Sequence, residues 1–339
     1  MRKSIYIIKP KTITTKPHLN SVSNISQTLL RINPGTQKVI LEMGVGNKGE
    51  MDFYLSQVKP KIAIFTKAAY MQGNATDNME EILTEQGKLI ESLGERGVAI
   101  LNWDDHSFKK MAQQCRGNIL FYGRDPENCT VWAGNINTEN FGTSFELNSG
   151  VERVKVNFKL LGINKVYSAL AAALLGVVLD ISLTKIKLAL ETLEPQEHCM
   201  QVLWGPNGSV LLDDTYSGSP MSVDSAIDSL LQISARRRIV VLGEMRDLGS
   251  YSETMHREVG RKIYKEKLDL VFLGQGDAHF IDDELKSLGF WEERLESNLQ
   301  NSQLVSRLLK TLGKGDVCLI KGSKAVRLDE VVKRIAKKA

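Results

Sequence analysis

Nothing in this chain is placed to staple or to ligate. It has four cysteines, Cys115, Cys129, Cys199 and Cys318; none forms a C-x-x-C pair and no histidine spacing completes a zinc set. That pattern argues against a disulfide framework and a structural zinc, and fits reduced thiols in a cytoplasmic protein. No apolar run reaches the roughly 18 residues that a spanning helix needs. The run Ile5-Tyr6-Ile7-Ile8 behind Met1-Arg2-Lys3 is too short for a signal peptide and reads as a strand. Neither sign of charge dominates: 44 Lys and Arg stand against 40 Asp and Glu, a net charge of +4. The one basic cluster, Arg236-Arg237-Arg238, leads straight into an apolar stretch and reads as a solvated strand entrance, so no nucleic-acid partner is expected. Internal repeats and low-complexity segments are absent. So is the phosphate cradle G-x-x-x-x-G-K-[ST], which occurs nowhere in the 339 residues.

What is present is ordinary globular material, 42% apolar and 25% charged, and the length favours two domains. Short β-branched runs alternate with amphipathic stretches. Val39-Ile40-Leu41-Glu42-Met43, Ile62-Ala63-Ile64-Phe65-Thr66, Val98-Ala99-Ile100-Leu101-Asn102 and Ile119-Leu120-Phe121-Tyr122 read as strands buried on both faces. Helical periodicity is clearest from Met79 to Leu93. Around 130–134, 143–148 and 154–159 the period changes to two, which predicts a small antiparallel set. A small-residue-rich helix follows over Lys165–Leu179. Pro195-Gln196-Glu197 sets the expected boundary between domains at 1–195 and 196–339. The second domain predicts strands at 210–213, 239–242, 268–272 and 317–320, and helices near 220–232, 251–265, 301–312 and 325–337. The expected fold class is α/β: a mostly parallel sheet with helices and a small antiparallel set, followed by a Rossmann-like domain.

Ligands in open α/β sheets lie beyond the carboxyl ends of strands. Four polar or Gly-rich segments occupy such places: Glu42 to Asn47, Asp213 to Pro220, Gly243 to Gly249, and Lys321-Gly322-Ser323. Their order and spacing resemble a Mur ligase, of the type that adds D-alanyl-D-alanine to UDP-muramoyl tripeptide in peptidoglycan synthesis. The motifs are Leu41-Glu42-Met43-Gly44 with Gly49-Glu50, Asp213-Asp214-Thr215-Tyr216 with Pro220, Val241-Leu242-Gly243-Glu244-Met245 with Leu248-Gly249 and His256, and Lys321-Gly322-Ser323. The resemblance runs from about Thr12 to the C-terminus. It implies a truncated central ATPase-like domain and the C-terminal Rossmann-like domain, without the UDP-substrate domain or the P-loop strand and helix.

The resemblance further implies ATP and Mg²⁺ as cofactors, with Glu42 as the magnesium carboxylate. It implies nucleotide or substrate contacts at Asn102, Asp213, Asp214, Tyr216, His256, Lys321 and Ser323. The residues themselves leave plainer readings open: a surface acid or helix-cap partner for Glu42, Asx turns for Asp213 and Asp214, and a structural contact for His256. No residue is assigned a catalytic role. Several positions depart from the family's chemistry. Its metal-binding His falls near Tyr70, its carbamylated Lys near Gln86, its His-Asn pair at Asn164-Lys165 with a later Asn at Ser168, and its Arg after the hinge at Cys199. Without an arginine there, a charge contact worth several kcal/mol in phosphoryl transfer is lost.

Three functions follow as expectations. The chain is a Mur-ligase relative that has lost ATP chemistry and partners an active ligase; or it is half of an active ligase whose P-loop comes on a separate chain; or it is a binding module for a nucleotide or UDP-sugar peptide. A plain gene fragment would lack cooperative melting. An incomplete central sheet would leave a strand edge open to another chain.

Overall fold

Alternating apolar strands and amphipathic helices leave one economical solution, a parallel sheet with helices on its faces, and the chain adopts it twice. The computed structural model describes residues 12–16, 21–45, 48–66, 79–139 and 141–337. Two compact units result, the first formed by Met1–Asn137, Ser144–Phe158 and Lys165–Leu193, the second by Thr138–Thr143, Lys159–Asn164 and Glu194–Ala339.

The first unit starts with β1 (Thr12–Thr14), α1 (Val22–Leu29), β2 (Lys38–Ile40), α2 (Glu50–Gln57), β3 (Ile62–Ile64), α3 (Met79–Glu91), β4 (Val98–Asn102), α4 (His106–Ala112) and β5 (Asn118–Gly123). It continues with β6 (Val131–Glu139), β7 (Gly142–Ser149), β8 (Glu152–Phe158), α5 (Ile163–Val178) and α6 (Leu183–Glu191). β1 and β2 form a two-stranded parallel sheet of their own, while a six-stranded sheet runs β3-β4-β5-β6-β7-β8. β3, β4 and β5 are parallel, as continuous apolar runs predict. Two-residue connections link β6 to β7 and β7 to β8; a link so short can only reverse the chain, so this part is antiparallel. The core beneath β4 gathers Ile90, Leu93, Ala99, Leu101 and Phe108, each worth about 1.5–3 kcal/mol when fully buried and large. α5 and α6 meet closely because Gly176 has no side chain; a Cβ there would lie 2.7 Å from Ile186 Cδ1.

The second unit comprises β9 (Gln201–Trp204), β10 (Val210–Asp214), α7 (Pro220–Leu231), β11 (Arg237–Leu242), α8 (Ser252–Lys265), β12 (Leu270–Gly274), α9 (His279–Ser287), β13 (Leu295–Leu299), α10 (Asn301–Thr311), β14 (Asp316–Lys321) and α11 (Leu328–Ile335). Its six strands run β13-β12-β11-β14-β10-β9, with β9 antiparallel to β10 and the others parallel. Residues of α7, α8 and α9 pack with Leu212, Val240 and Leu319 on one face. Residues of α10 and α11 pack with Leu211, Val241 and Ile320 on the other. β14, between β11 and β10, is buried along its whole length.

Several expected bounds shift: the strand expected over 62–66 stops at Ile64, and the one expected over 268–272 runs Leu270–Gly274. The strand expected over 39–43 stops at Ile40, and the helix expected over 325–337 starts only at Leu328. A 3-10 turn, Lys324–Val326, precedes that helix, and Arg327 in the left-handed region (φ 58°) separates the two. The strand-like Ile5–Ile8 run lies outside the described residues. No helix among the described residues is long and apolar enough to cross a membrane. None of the four cysteines is in a disulfide, and burial pushes the Cys129 thiol up to about 12.

Candidate functional site

In the second unit the chain leaves β10 toward α7 on one face and leaves β14 toward α11 on the other. Neighbouring strands whose exits part in this way open a crevice at their carboxyl ends, where α/β sheets bind ligands. Parallel pairing sets Asp214 opposite Lys321 at that end. Lys321 is 1% exposed, and a buried ammonium needs a counter-charge and acceptors. It has both: Nζ donates to Asp214 Oδ2 at 2.6 Å and to the Ser217 carbonyl at 2.7 Å. The other Asp214 oxygen accepts from the Met200 N–H at 2.9 Å.

Asp213 is adjacent in sequence but belongs to the opposite face of the strand, because side chains alternate. Its Oδ1 accepts from the Thr215 hydroxyl at 2.7 Å and the Thr215 N–H at 3.2 Å, and its Oδ2 lies 2.7 Å from His198 Nδ1. His198 sits in the left-handed region (φ 64°), unusual for a residue with a side chain, and its carbonyl accepts from the Tyr216 N–H at 3.0 Å. Sequence reasoning passed over His198. No local pattern marks it; the antiparallel pairing of Gln201 with Asp213 brings it to the strand end.

Tyr216 is half-buried, with the Lys324 ammonium 5.4 Å above its ring. Ser323 donates its N–H to the Glu244 carbonyl at 3.4 Å, while its hydroxyl oxygen is buried with no hydrogen-bond partner among the described residues. The loops after β10 and β14 touch at Gly218, where a Cβ would meet the Ser323 nitrogen at 2.3 Å. His256, on α8, is fully buried. It accepts the Met245 N–H at Nε2 (2.9 Å), and Nδ1 donates to the Ser252 carbonyl (2.7 Å). Burial lowers its pKa, so the ring stays neutral as these two bonds require. It anchors the loop after β11.

The structure therefore gathers Asp213, Asp214, Tyr216, Lys321 and Ser323 around one strand end, with His256 supporting the neighbouring loop. Asn102 and Glu42 belong to the first unit. Asn102 is buried at the end of β4, where Nδ2 donates to the Thr66 carbonyl (3.4 Å) and Oδ1 accepts from the Asp104 N–H (3.1 Å). Beside it the Tyr167 hydroxyl donates to Asp104 at 2.8 Å, and burial pushes its pKa up to about 12. Glu42 has an exposed side chain, and its N–H donates to Thr15 Oγ1 at 3.0 Å.

Magnesium takes six oxygens, most of them from water, phosphate and one or two carboxylates. Among the described residues no three His, Cys, Asp or Glu side chains converge on a metal-sized site, and Glu42 offers one carboxylate. Gln86, on α3, is half-buried with its amide oxygen unpartnered among the described residues. Cys199 donates its N–H to the Gln196 carbonyl at 3.2 Å, and its thiol supplies no positive charge. Asn164-Lys165 and Ser168 lie in the first turns of α5. Tyr70 lies outside the described residues, as do Gly46 and Asn47.

Comparison with known proteins gives a consistent picture. Residues 2–176 match the Mur ligase middle domain, and residues 198–324 match the Mur ligase, glutamate ligase domain. The UDP-N-acetylmuramoyl-tripeptide–D-alanyl-D-alanine ligase of Buchnera aphidicola is 26% identical over 328 residues, covering 96% of this chain and 70% of that protein. The Escherichia coli enzyme of the same name is also 26% identical, over 96% of this chain and 71% of its own length. MurF from Acinetobacter baumannii superimposes with a TM-score of 0.86 at 20% identity, over 97% of this chain and 71% of that one. MurF from Thermotoga maritima, solved in complex with ADP, gives 0.83 at 20% identity, over 98% and 74%. At such identities the solved structures speak for the fold alone.

Proposed function

The chain belongs to the Mur ligase family, and from that premise we propose that it serves peptidoglycan precursor synthesis in the cytoplasm as a ligase frame that does not turn over ATP by itself. The observation that carries this reading is the state of Lys321. It is the buried cation at the strand-end crevice, and it is held by Asp214 and the Ser217 carbonyl. The position where the family places an arginine for the γ-phosphate holds Cys199. The neutral Gln86 supports the same reading. A phosphoryl group in transfer needs several cations and N–H donors arranged around it, and among the described residues neither unit gathers that set. In this reading the frame works beside an active ligase.

The test is phosphate release by the purified chain with ATP, Mg²⁺, UDP-muramoyl tripeptide and D-alanyl-D-alanine. The expected rate equals the no-protein background. Turnover that depends on the tripeptide would overturn the proposal.

A second reading is favoured by one observation, the separation of β2 from β3 into different sheets. In it the chain is half of an active ligase, and a separate polypeptide brings the phosphate loop together with ATP and Mg²⁺. Binding of a nucleotide or UDP-sugar peptide without chemistry would register as heat in a calorimetric titration with no phosphate release.

A further inference from the structure

Two neighbouring helices on one face of the second sheet, α7 and α8, do not close over each other along their whole length. α7 turns Met221, Asp224 and Ile227 toward α8, and α8 turns Met255, Glu258, Val259 and Lys262 toward α7. These positions recur at three and four residues, the spacing of one helical stripe. The other flanks of the two helices are occupied. On α7, Gln232 accepts from the Thr138 hydroxyl at 3.0 Å, and a Cβ at Gly162 would lie 2.5 Å from the Ser229 hydroxyl. On α8, Arg257 and Arg261 pair with Glu284 of α9 at 3.3 and 2.8 Å. Between the two facing stripes a groove of about 200 Å³ is left unfilled.

Packed interiors hold few voids larger than a water molecule, so a gap of this size between adjacent helices is room for something else. Its floor is apolar, with Ile227 0% and Val259 6% exposed. Met221 and Met255, both half-buried, form its walls. Methionine is unbranched and adapts to the shape of what it meets. The volume falls below the roughly 300–1,000 Å³ of small-molecule and cofactor sites, and suits one or two apolar side chains instead.

Charge decides what carries those side chains. Lys262 is the one cation lining the groove among the described residues, and it lies inside. Its side chain is 17% exposed, and its ammonium donates to the carboxylates of Asp224 and Asp228 at 2.5 Å each and to the Asp224 carbonyl at 3.0 Å. The two carboxylates face outward, 56% and 47% exposed, and Glu258 adds an exposed acid on the α8 side. The rim is therefore acidic on both helices, above an enclosed and neutralised cation, on a chain whose net charge is +4.

We propose that this groove seats one amphipathic helix of another protein. Its apolar side chains enter the gap, and its Lys or Arg side chains lie beside Asp224, Asp228 and Glu258. The site does not depend on whether the chain turns over ATP, and it goes beyond both functional readings. Other occupants fit less well. A second copy meeting through the same groove would set acid against acid. Nucleic acid and anionic lipid surfaces carry the same sign of charge as the rim.

The test is nuclear magnetic resonance of the full chain with isotope-labelled methionine methyl groups. The probe is a synthetic peptide with leucines at i, i+3, i+4 and i+7 and lysines elsewhere, and its twin carries glutamate for lysine. The lysine peptide should shift the methyls of Met221 and Met255 saturably and leave those of Met51 and Met111, in the first unit, in place. The twin should shift none. Glu258→Lys, at an exposed position, should weaken binding at least about fivefold and flatten its salt dependence. Met255→Gln should weaken it by a similar factor with the salt dependence unchanged. Equal shifts with the twin or with phosphatidylglycerol vesicles, shifts at other methyls only, or no shift would each overturn the proposal. So would shifts of Met221 and Met255 that appear on concentrating the chain alone, which would give the groove to a second copy.

Discussion

In the second unit each interior strand has a partner on both sides, and the charged groups at the strand ends are tied to one another; in the first, no ladder among the described residues joins β2 to β3, and Val39 of β2 reaches solvent. The contrast concerns self-sufficiency. Buried polar groups must be matched to be tolerated, and the second unit matches Lys321, Asp213, Asp214 and His256 from its own residues. An open strand edge costs little in a lone chain, because water satisfies it, but it invites a partner. One unit matches its strand-end charges from its own residues, while among the described residues of the other no ladder joins β2 to β3.

The largest expected break in that contrast is Lys321→Ala. Removing the ammonium strands the Asp214 carboxylate, only 17% exposed, without its counter-charge. Removing one partner of a buried ion pair costs about 3–5 kcal/mol, and the lower end applies because Asp214 is not fully buried. Hydrogen exchange in denaturant, read unit by unit, should show the loss in β10 and β14 and none in β4. Equal destabilisation of both units would mean that the second unit is not closed upon itself. Lys321→Met with Asp214→Leu should recover much of the loss.

A smaller effect is expected from His256→Ala, which leaves the buried Met245 N–H without its acceptor, a loss of about 1–3 kcal/mol. Its pH behaviour follows from burial, which lowers the ring's folded pKa below its ordinary 6.5. The unfolded chain then takes up a proton near pH 6.5 while the folded chain does not. The stabilisation is complete above that pH and is lost as pH falls toward the folded value. Denaturant midpoints of the parent should decline over that window, and those of His256→Ala should decline less. Identical slopes would show that the ring is not held neutral by the fold.

Much of this was legible in the residues, for a physical reason. Strands buried on both faces are continuous apolar runs, so β4, β5, β10, β11 and β14 announced themselves. β13 did not, because Leu295-Glu296-Ser297-Asn298-Leu299 is an edge strand with a polar middle and Asn298 in the left-handed region. β9, the opposite edge, is four residues long and half-exposed. Asp213 and Asp214 were read as one pair, but adjacent residues on a strand face opposite ways. They serve different partners, His198 and Lys321, which no local pattern announces. The start of α11 was missed because Arg327 takes a conformation that its residue type does not advertise.

The smallest expected effect sharpens the contrast most, because it is an effect that should be missing. Val39→Lys in the lone chain replaces an apolar side chain that already reaches solvent, on a strand whose ladder runs to β1 alone among the described residues. Surface substitutions away from packing or polar networks usually lie within about 0.5 kcal/mol of the parent. A lysine stem can lie along the same apolar surface while its ammonium stays in water. The denaturation midpoint should therefore not move. The same substitution inside a sheet covered on both faces would bury a charge and unfold the unit. A midpoint shift of several kcal/mol in the lone chain would show that Val39 is already enclosed, and the first unit would then be as complete as the second.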